Sequence, residues 1–284
     1  MKFKNILNSL LFGAAMLSNN MPATAAEVTA PAELRLYRLD CGTMRLGDMS
    51  LMSDRGRYQG RSYDIVISCY LIKHGNEWML WDTGLSREYL QGVTADKLEM
   101  KLEKPIVDQL KALGLKPGDI NYVGLSHAHF DHTGQSNEFP DATMILQKKE
   151  YEVLSSERAA EHFIDPALLE KHVKGGRLRL IDGDTDIFGD GLVQTILLPG
   201  HTPGHMALKL NLQHAGVVIL SGDQWHFPEN RAGNQVPKFN FDHDDTIASS
   251  AKLERIINET HATLVIQHEP ADNQKLPALP AFLE

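Results

Sequence analysis

The chain has 284 residues, 42% of them hydrophobic, enough to bury a sizeable core without staples. Against 28 Lys and Arg stand 37 Asp and Glu, a formal net charge of -9 with no basic run or aromatic-interleaved basic patch, so nucleic acid is not an expected partner. Thirteen histidines are a rich supply, but their spacing has to give them meaning.

Residues 1–26 read as an export signal. Lys2 and Lys4 precede a short apolar stretch from Ile6 to Leu17, and Ala23-Thr24-Ala25 is a small-x-small site just before Ala26 and Glu27. About a dozen apolar residues, interrupted by Asn8 and Ser9, fall short of the ~20 needed to span a bilayer. A cleaved signal is expected rather than a membrane anchor, and with it a periplasmic or secreted protein. Cys41 and Cys69 are the only cysteines. Both lie in apolar, strand-like runs, so a disulfide and two buried thiols are both open, and neither has metal-site spacing.

A single domain is expected over 27–284, with no repeat and no second composition regime. Strands are predicted at 34–41, 64–73 and 77–82, with a Gly/Met/Ser/Asp loop at 42–62 and a turn at His74-Gly75-Asn76. A helix fits 104–113, with Pro105 near its start and Gly114 as its stop. Strands at 121–126 and 142–147 follow, then a helix from about 148 and a polar helical stretch at 160–176. From 178 the chain turns strand-rich again, at 178–181, 185–188, 192–198, 206–212 and 216–221. A helix at 245–259 and a strand at 263–267 close the order. Strands first and helices later, twice over, suit an α/β (α+β) fold of two packed sheets with helices outside.

Four side chains suited to binding metal crowd into Ser126-His127-Ala128-His129-Phe130-Asp131-His132, where an apolar strand gives way to a loop. Imidazoles at i and i+2 on an extended segment point the same way, so His127 and His129 can share one metal, while Asp131 and His132, past the turn, face a second. Three more apolar strands run into a ligand type, at His201, Asp223 and His268. Sites assembled at strand ends look like this.

The H-x-H-x-D-H spacing, with these later ligand types, resembles the metallo-β-lactamase superfamily over essentially the whole mature chain. That resemblance implies a four-layer αβ/βα sandwich of two mixed β-sheets with the metals at one edge. It also implies roles: His127, His129 and His201 for one metal, Asp131, His132 and His268 for the other, and Asp223 as the bridge. Asp82, in Leu80-Trp81-Asp82-Thr83-Gly84, matches a family aspartate that fixes the tautomer of a ligand histidine, although a plain turn residue is the other reading. His205 is expected to stabilise its loop. His74, His162, His172, His214, His243 and His261 fall in turns or polar stretches and are expected to be solvated.

Two divalent ions close together acidify a shared water and polarise an electrophile, so the expected reaction is hydrolysis by a hydroxide held between them. Asp131 can also return a proton to the leaving group. Zinc fits His-rich N/O ligation best, with iron, cobalt or manganese as alternatives. No G-x-S-x-G nucleophile motif competes.

Within the superfamily the chain is most similar to the N-acyl homoserine lactonases, which open the lactone ring of bacterial quorum-sensing signals. The resemblance runs through Leu36–Gly42, Ser68–Ile72, Met79–Gly84 and Ser221-Gly222-Asp223. The expected partner is a small acylated lactone, and Met44, Met49 and Met52 would suit its acyl chain as well as ordinary core filling. A homodimer is left open. Members of that branch carry a substrate-binding tyrosine three residues after the bridging aspartate, where this chain has His226, whose imidazole can donate a similar hydrogen bond. The alternatives are a glyoxalase II-like thioester or other ester hydrolase, a β-lactamase, and a non-catalytic metal-binding protein. Glyoxalase II-like chains add a basic helical substrate domain, whereas here the sequence stops soon after His268. A non-catalytic role needs a closed coordination shell, and seven ligands over two metals leave open positions.

Overall fold

The tertiary structure is a computed structural model that describes residues 32–95 and 97–284. The expected export signal lies outside the described residues. Alternation decides the strands. In Tyr63–His74, Ile65, Ile67, Cys69 and Leu71 pack on one side of the sheet while Tyr70 and Ile72 pack on the other.

The first sheet collects β1 (Leu34–Leu46), β2 (Tyr63–His74), β3 (Glu77–Trp81), β4 (Val93–Ala95), β5 (Leu98–Lys101), β6 (Tyr122–Gly124), β7 (Thr143–Gln147) and β8 (Leu178–Ile181), in the order β4-β5-β1-β2-β3-β6-β7-β8. It is mixed: β3, β6, β7 and β8 run parallel, the others antiparallel. The second sheet holds β9 (Thr185–Asp186), β10 (Val193–Leu197), β11 (Met206–Leu212), β12 (Gly216–Leu220) and β13 (Thr263–Val265), in the order β13-β12-β11-β10-β9. Only β12 and β13 are parallel there.

Three apolar clusters make the four layers. Tyr70, Ile72, Met79 and Trp81 of the first sheet pack on Met206, Leu208, Leu210, Val218 and Leu220 of the second. On the first sheet's outer face, Ile65, Ile67, Leu71, Leu80 and Val123 meet Ile106, Leu110 and Leu154 from helices. On the second sheet's outer face, Ile196, Ala207, Ile219 and Leu264 meet Leu253 and Ile257 of the long helix His243–Thr260. Each sheet thus buries both faces, which is why its strands read as near-continuous apolar runs.

Several expectations are corrected. The strand expected to end at residue 41 continues to Leu46, because an irregularity between Asp40 and Thr43 lets β1 resume pairing with β2 and gain β5 as a second partner. The loop expected from 42 therefore begins after Leu46, with a capped turn at Met49–Met52 in which Asp48 accepts from the Ser50 amide at 2.9 Å. β4 and β5 carry no strong strand signal and form only by pairing. The helix expected at 104–113 is α-helical over Ile106–Leu110 and tightens into a 3-10 turn before Gly114, at φ 72°. The stretch 160–176 breaks into 3-10 turns at Ala159–His162 and Pro166–Leu169 before the helix Glu170–Gly175, since Pro166 has no amide to continue a helix. The cysteine question resolves as a disulfide: Cys41 and Cys69 bridge β1 to β2 with Cα atoms 5.8 Å apart.

Candidate metal centre

Parallel pairing puts ligands together. β3 and β6 run side by side in register, so their C-terminal ends deliver Asp82 and the segment 126–132 to one edge. β12 and β13 do the same for Asp223 and His268. β10 runs parallel to β12 across the antiparallel β11 and leads into His201 at that edge. Glycine lets the backbone close up here: a Cβ on Gly134, just after the short helix Phe130–Thr133, would lie 2.2 Å from the Ser86 amide.

The seven expected ligands meet in two buried groups whose donor atoms lie within 4.8 Å of one another, His127, His129, His201 and Asp223 in one and Asp131, His132 and His268 in the other. In the first, His129 Nδ1 is 3.0 Å from His127 Nε2 and 3.1 Å from His201 Nε2. In the second, His132 Nε2 and His268 Nε2 are 3.3 Å apart. Asp223 reaches both. Its Oδ2 is 3.4 Å from His201 Nε2 and 3.8 Å from His127 Nε2, and its Oδ1 is 3.2 and 3.1 Å from the Nε2 atoms of His132 and His268. Asp131 stands farther off, its Oδ2 3.8 and 3.7 Å from those same two nitrogens.

Four of the five imidazoles in these groups are held from behind. Nδ1 of His127 meets Ser126 Oγ at 3.0 Å, that of His132 Asp82 Oδ2 at 3.0 Å, that of His201 Asn240 Oδ1 at 3.0 Å, and that of His268 the Val66 carbonyl at 2.8 Å. An outward Nδ1–H leaves the Nε2 lone pair facing inward, the tautomer a metal requires. Asp82 is both things expected of it. It turns the chain at φ 59°, and its carboxylate takes the Ser126 amide at 2.6 Å and orients His132.

The electrostatics fit divalent cations. Burial pushes His127 and His201 well below the ordinary histidine pKa and His129 down to about 4, which favours the neutral imidazoles that a metal would need. For His132 and His268 burial acts the same way but is outweighed by the Asp223 and Asp131 carboxylates, which raise both. Burial would protonate Asp223, yet the imidazoles of His268, His132, His226 and His127 hold it well below the usual carboxylate range. The centre therefore asks for positive charge. Asp223 Oδ1, fully buried, has no aligned hydrogen-bond donor despite its two imidazole neighbours, the arrangement that a cation between them satisfies.

The remaining histidines divide. His205 Nδ1 is 3.0 Å from the Leu198 carbonyl and its Nε2 accepts from the Asp223 amide at 2.8 Å, a loop-holding role as expected. His226 is buried beside the centre, Nε2 3.2 Å from Asp223 Oδ2, its ring stacked on that of His268. His172, expected in solvent, is fully buried between the carbonyls of Ser136 and Ala142, and His74 stacks on Phe188 and meets Asp190. Sequence reading also missed Glu150 and Gln267, both buried beside ligand loops. Their residue types usually mark the surface, so no local signal was there to find.

Over the centre opens a pocket with a divided lining. Met44, Leu46, Met52, Ile65, Phe130 and Phe239 make the apolar wall, and His129, Asp131, Asp223, His226 and His268 make the floor. Of the three methionines marked in the sequence, Met49 is core and the other two face this pocket. No Lys or Arg lines it among the described residues.

Residues 63–268, which span the whole of this centre, match the metallo-beta-lactamase superfamily. The chain belongs to that superfamily. Its relatives include the N-acyl homoserine lactonase AttM of Rhizobium radiobacter, 32% identical over 253 residues that cover 84% of this chain and 94% of AttM. The N-acyl homoserine lactonase AiiA of Bacillus thuringiensis subsp. kurstaki is 27% identical over 261 residues, 88% of this chain and 98% of AiiA. Among solved structures, an N-acyl homoserine lactone hydrolase with the product N-hexanoyl-L-homoserine at its catalytic metal centre superposes with a TM-score of 0.74. It is 25% identical and covers 89% of this chain and 100% of its own.

Proposed function

We propose that this enzyme is a dinuclear metal-dependent lactonase that opens N-acyl homoserine lactones. The observation that carries the reading is the pocket: an apolar wall beside a His/Asp floor, with no Lys or Arg in its lining among the described residues. A β-lactam or a glutathione thioester brings a carboxylate that needs a Lys or Arg, whereas an acylated lactone is neutral and amphipathic. The named lactonase relatives support the same substrate class.

His127, His129 and His201 would hold one ion, Asp131, His132 and His268 the other, with Asp223 between them. Two such ions supply Lewis acidity toward the ester carbonyl and a water acidified enough to attack at neutral pH, with zinc the ion best suited to these ligands. The protein's part is placement. The Met44, Leu46 and Phe239 wall takes the acyl chain and excludes water, the floor sets the lactone ring, and Asp131 returns a proton to the ring oxygen as it leaves. Chelation should abolish ring opening and two equivalents of zinc should restore it. Undiminished ring opening by metal-free protein would overturn the reading.

His226 we assign to lactone orientation. Its Nε2 lies 3.2 Å from Asp223 Oδ2 at the pocket floor, so the ring proton sits on Nε2 and the donor faces the metal side, where the lactone would lie. His226→Ala should cost about 1–3 kcal/mol, roughly 5- to 150-fold in kcat/KM, with metal content near two, and His226→Tyr should recover part. Unchanged kinetics would make it a packing residue, and loss of metal would make it a ligand.

We also propose export, with a mature terminus near Ala26 or Glu27 and a periplasmic or secreted location. The sequence of 1–26 supports this, as does the Cys41–Cys69 bridge, since such bonds persist in oxidising compartments. Mass spectrometry of native protein tests it, and an intact Met1 in the cytoplasmic fraction would refute it.

A further inference from the structure

Glu150 lies in the first turn of the helix Lys148–Leu154 and is fully buried. None of its hydrogen bonds comes from a cation. Its Oε1 accepts the Ala128 amide at 2.8 Å, and its Oε2 accepts Thr202 Oγ1 at 2.7 Å and the Gly204 amide at 2.9 Å. Ala128 sits between His127 and His129, while Thr202 follows His201. One carboxylate thus gives one oxygen to each of the two loops that supply the first ligand group. The second loop is built to come this close: a Cβ on Gly204 would lie 2.6 Å from the Glu150 amide nitrogen.

The other group has a separate support. Gln267, also fully buried, donates from Nε2 to Asp82 Oδ2 at 2.9 Å, and its Oε1 accepts the Gly222 amide at 2.9 Å and Trp81 Nε1 at 3.2 Å. Asp82 orients His132, and Gln267 directly precedes His268. No bond of Gln267 itself reaches the 127–129 or 201–205 loops; it touches the first group only at its margins, where Asp82 also holds Ser126 and Gly222 precedes Asp223.

We propose that Glu150 is the positioning residue that locks together the two loops of the His127/His129/His201 group, and that Gln267 acts chiefly on the Asp131/His132/His268 group, through Asp82 and through its place beside His268. The inference rests on the metal-holding reading above. A Gln at 150 keeps the shape but has only one acceptor oxygen, so one loop must face an NH2 group across from its own donors. Outer partners of this kind typically change metal affinity by ~10- to 100-fold.

The test is stepwise Zn2+ binding by the full mature protein, measured by chelator competition, with circular dichroism as a fold control. Glu150→Gln should weaken one of the two binding steps by ~10- to 100-fold and leave the other nearly unchanged, and Gln267→Met should weaken chiefly the other step. Unchanged affinities in Glu150→Gln, or the same step weakened most by both variants, would overturn the division. If Glu150→Gln does not fold, Thr202→Val removes one of the three bonds from the loop side. It should weaken the step that Gln267→Met affects less, and no loss there would overturn the proposal. Wild-type protein binding fewer than two Zn2+ would instead sink the metal reading itself.

Discussion

Replacing Asp223 by Ala is expected to strip both metal positions together. Its two oxygens lie within 4 Å of four histidine nitrogens, two from each group, and among the described residues it is the only carboxylate that reaches both. Without it, five imidazoles are left around a charge-poor centre, with Asp131 alone on one side. Lewis-acid stabilisation is worth several kcal/mol, so kcat/KM for ring opening should fall on the order of 10^3-fold or more. Metal analysis beside the kinetics checks this. Two retained equivalents with near wild-type turnover would contradict the bridging assignment.

Asp131→Asn should separate chemistry from ligation. Asp131 lies at the pocket floor, and an amide oxygen can still face a metal but cannot carry the proton to the leaving oxygen. The loss belongs to the proton-transfer step, so kcat should drop by about 10^2–10^4-fold while KM and metal content change little. Steady-state kinetics with metal analysis measure both. A fall in metal content that accounts for the whole loss would leave Asp131 as a ligand alone.

That these seven residues would cluster was legible because each is written locally, as an apolar strand followed by a His or Asp. His127 to His132 needs only six residues to declare itself, and His201, Asp223 and His268 each close a strand that propensity alone identifies. What was hidden depends on partners far along the chain. β5 is a strand because β1 pairs with it, and its exposed Glu99 and Lys101 give little intrinsic reason for it. His172 is buried because two carbonyls, at Ser136 and Ala142, converge on its ring. Glu150 and Gln267 are polar residues that look like surface until the loops they hold fold over them. The pocket wall is hidden for the same reason, since Met44 and Phe239 stand nearly two hundred residues apart and meet only in the fold.

On this reading the pocket takes a neutral acylated lactone over a two-metal floor. The most direct measurement is kcat/KM of the zinc-loaded mature protein for a homoserine-lactone series of increasing acyl length, beside a glutathione thioester and a cephalosporin. Ring opening should be efficient and improve with acyl length as more of the chain covers the Met44 and Phe239 wall, with little turnover of the two anionic substrates. Faster hydrolysis of the thioester or the cephalosporin than of any lactone would contradict it.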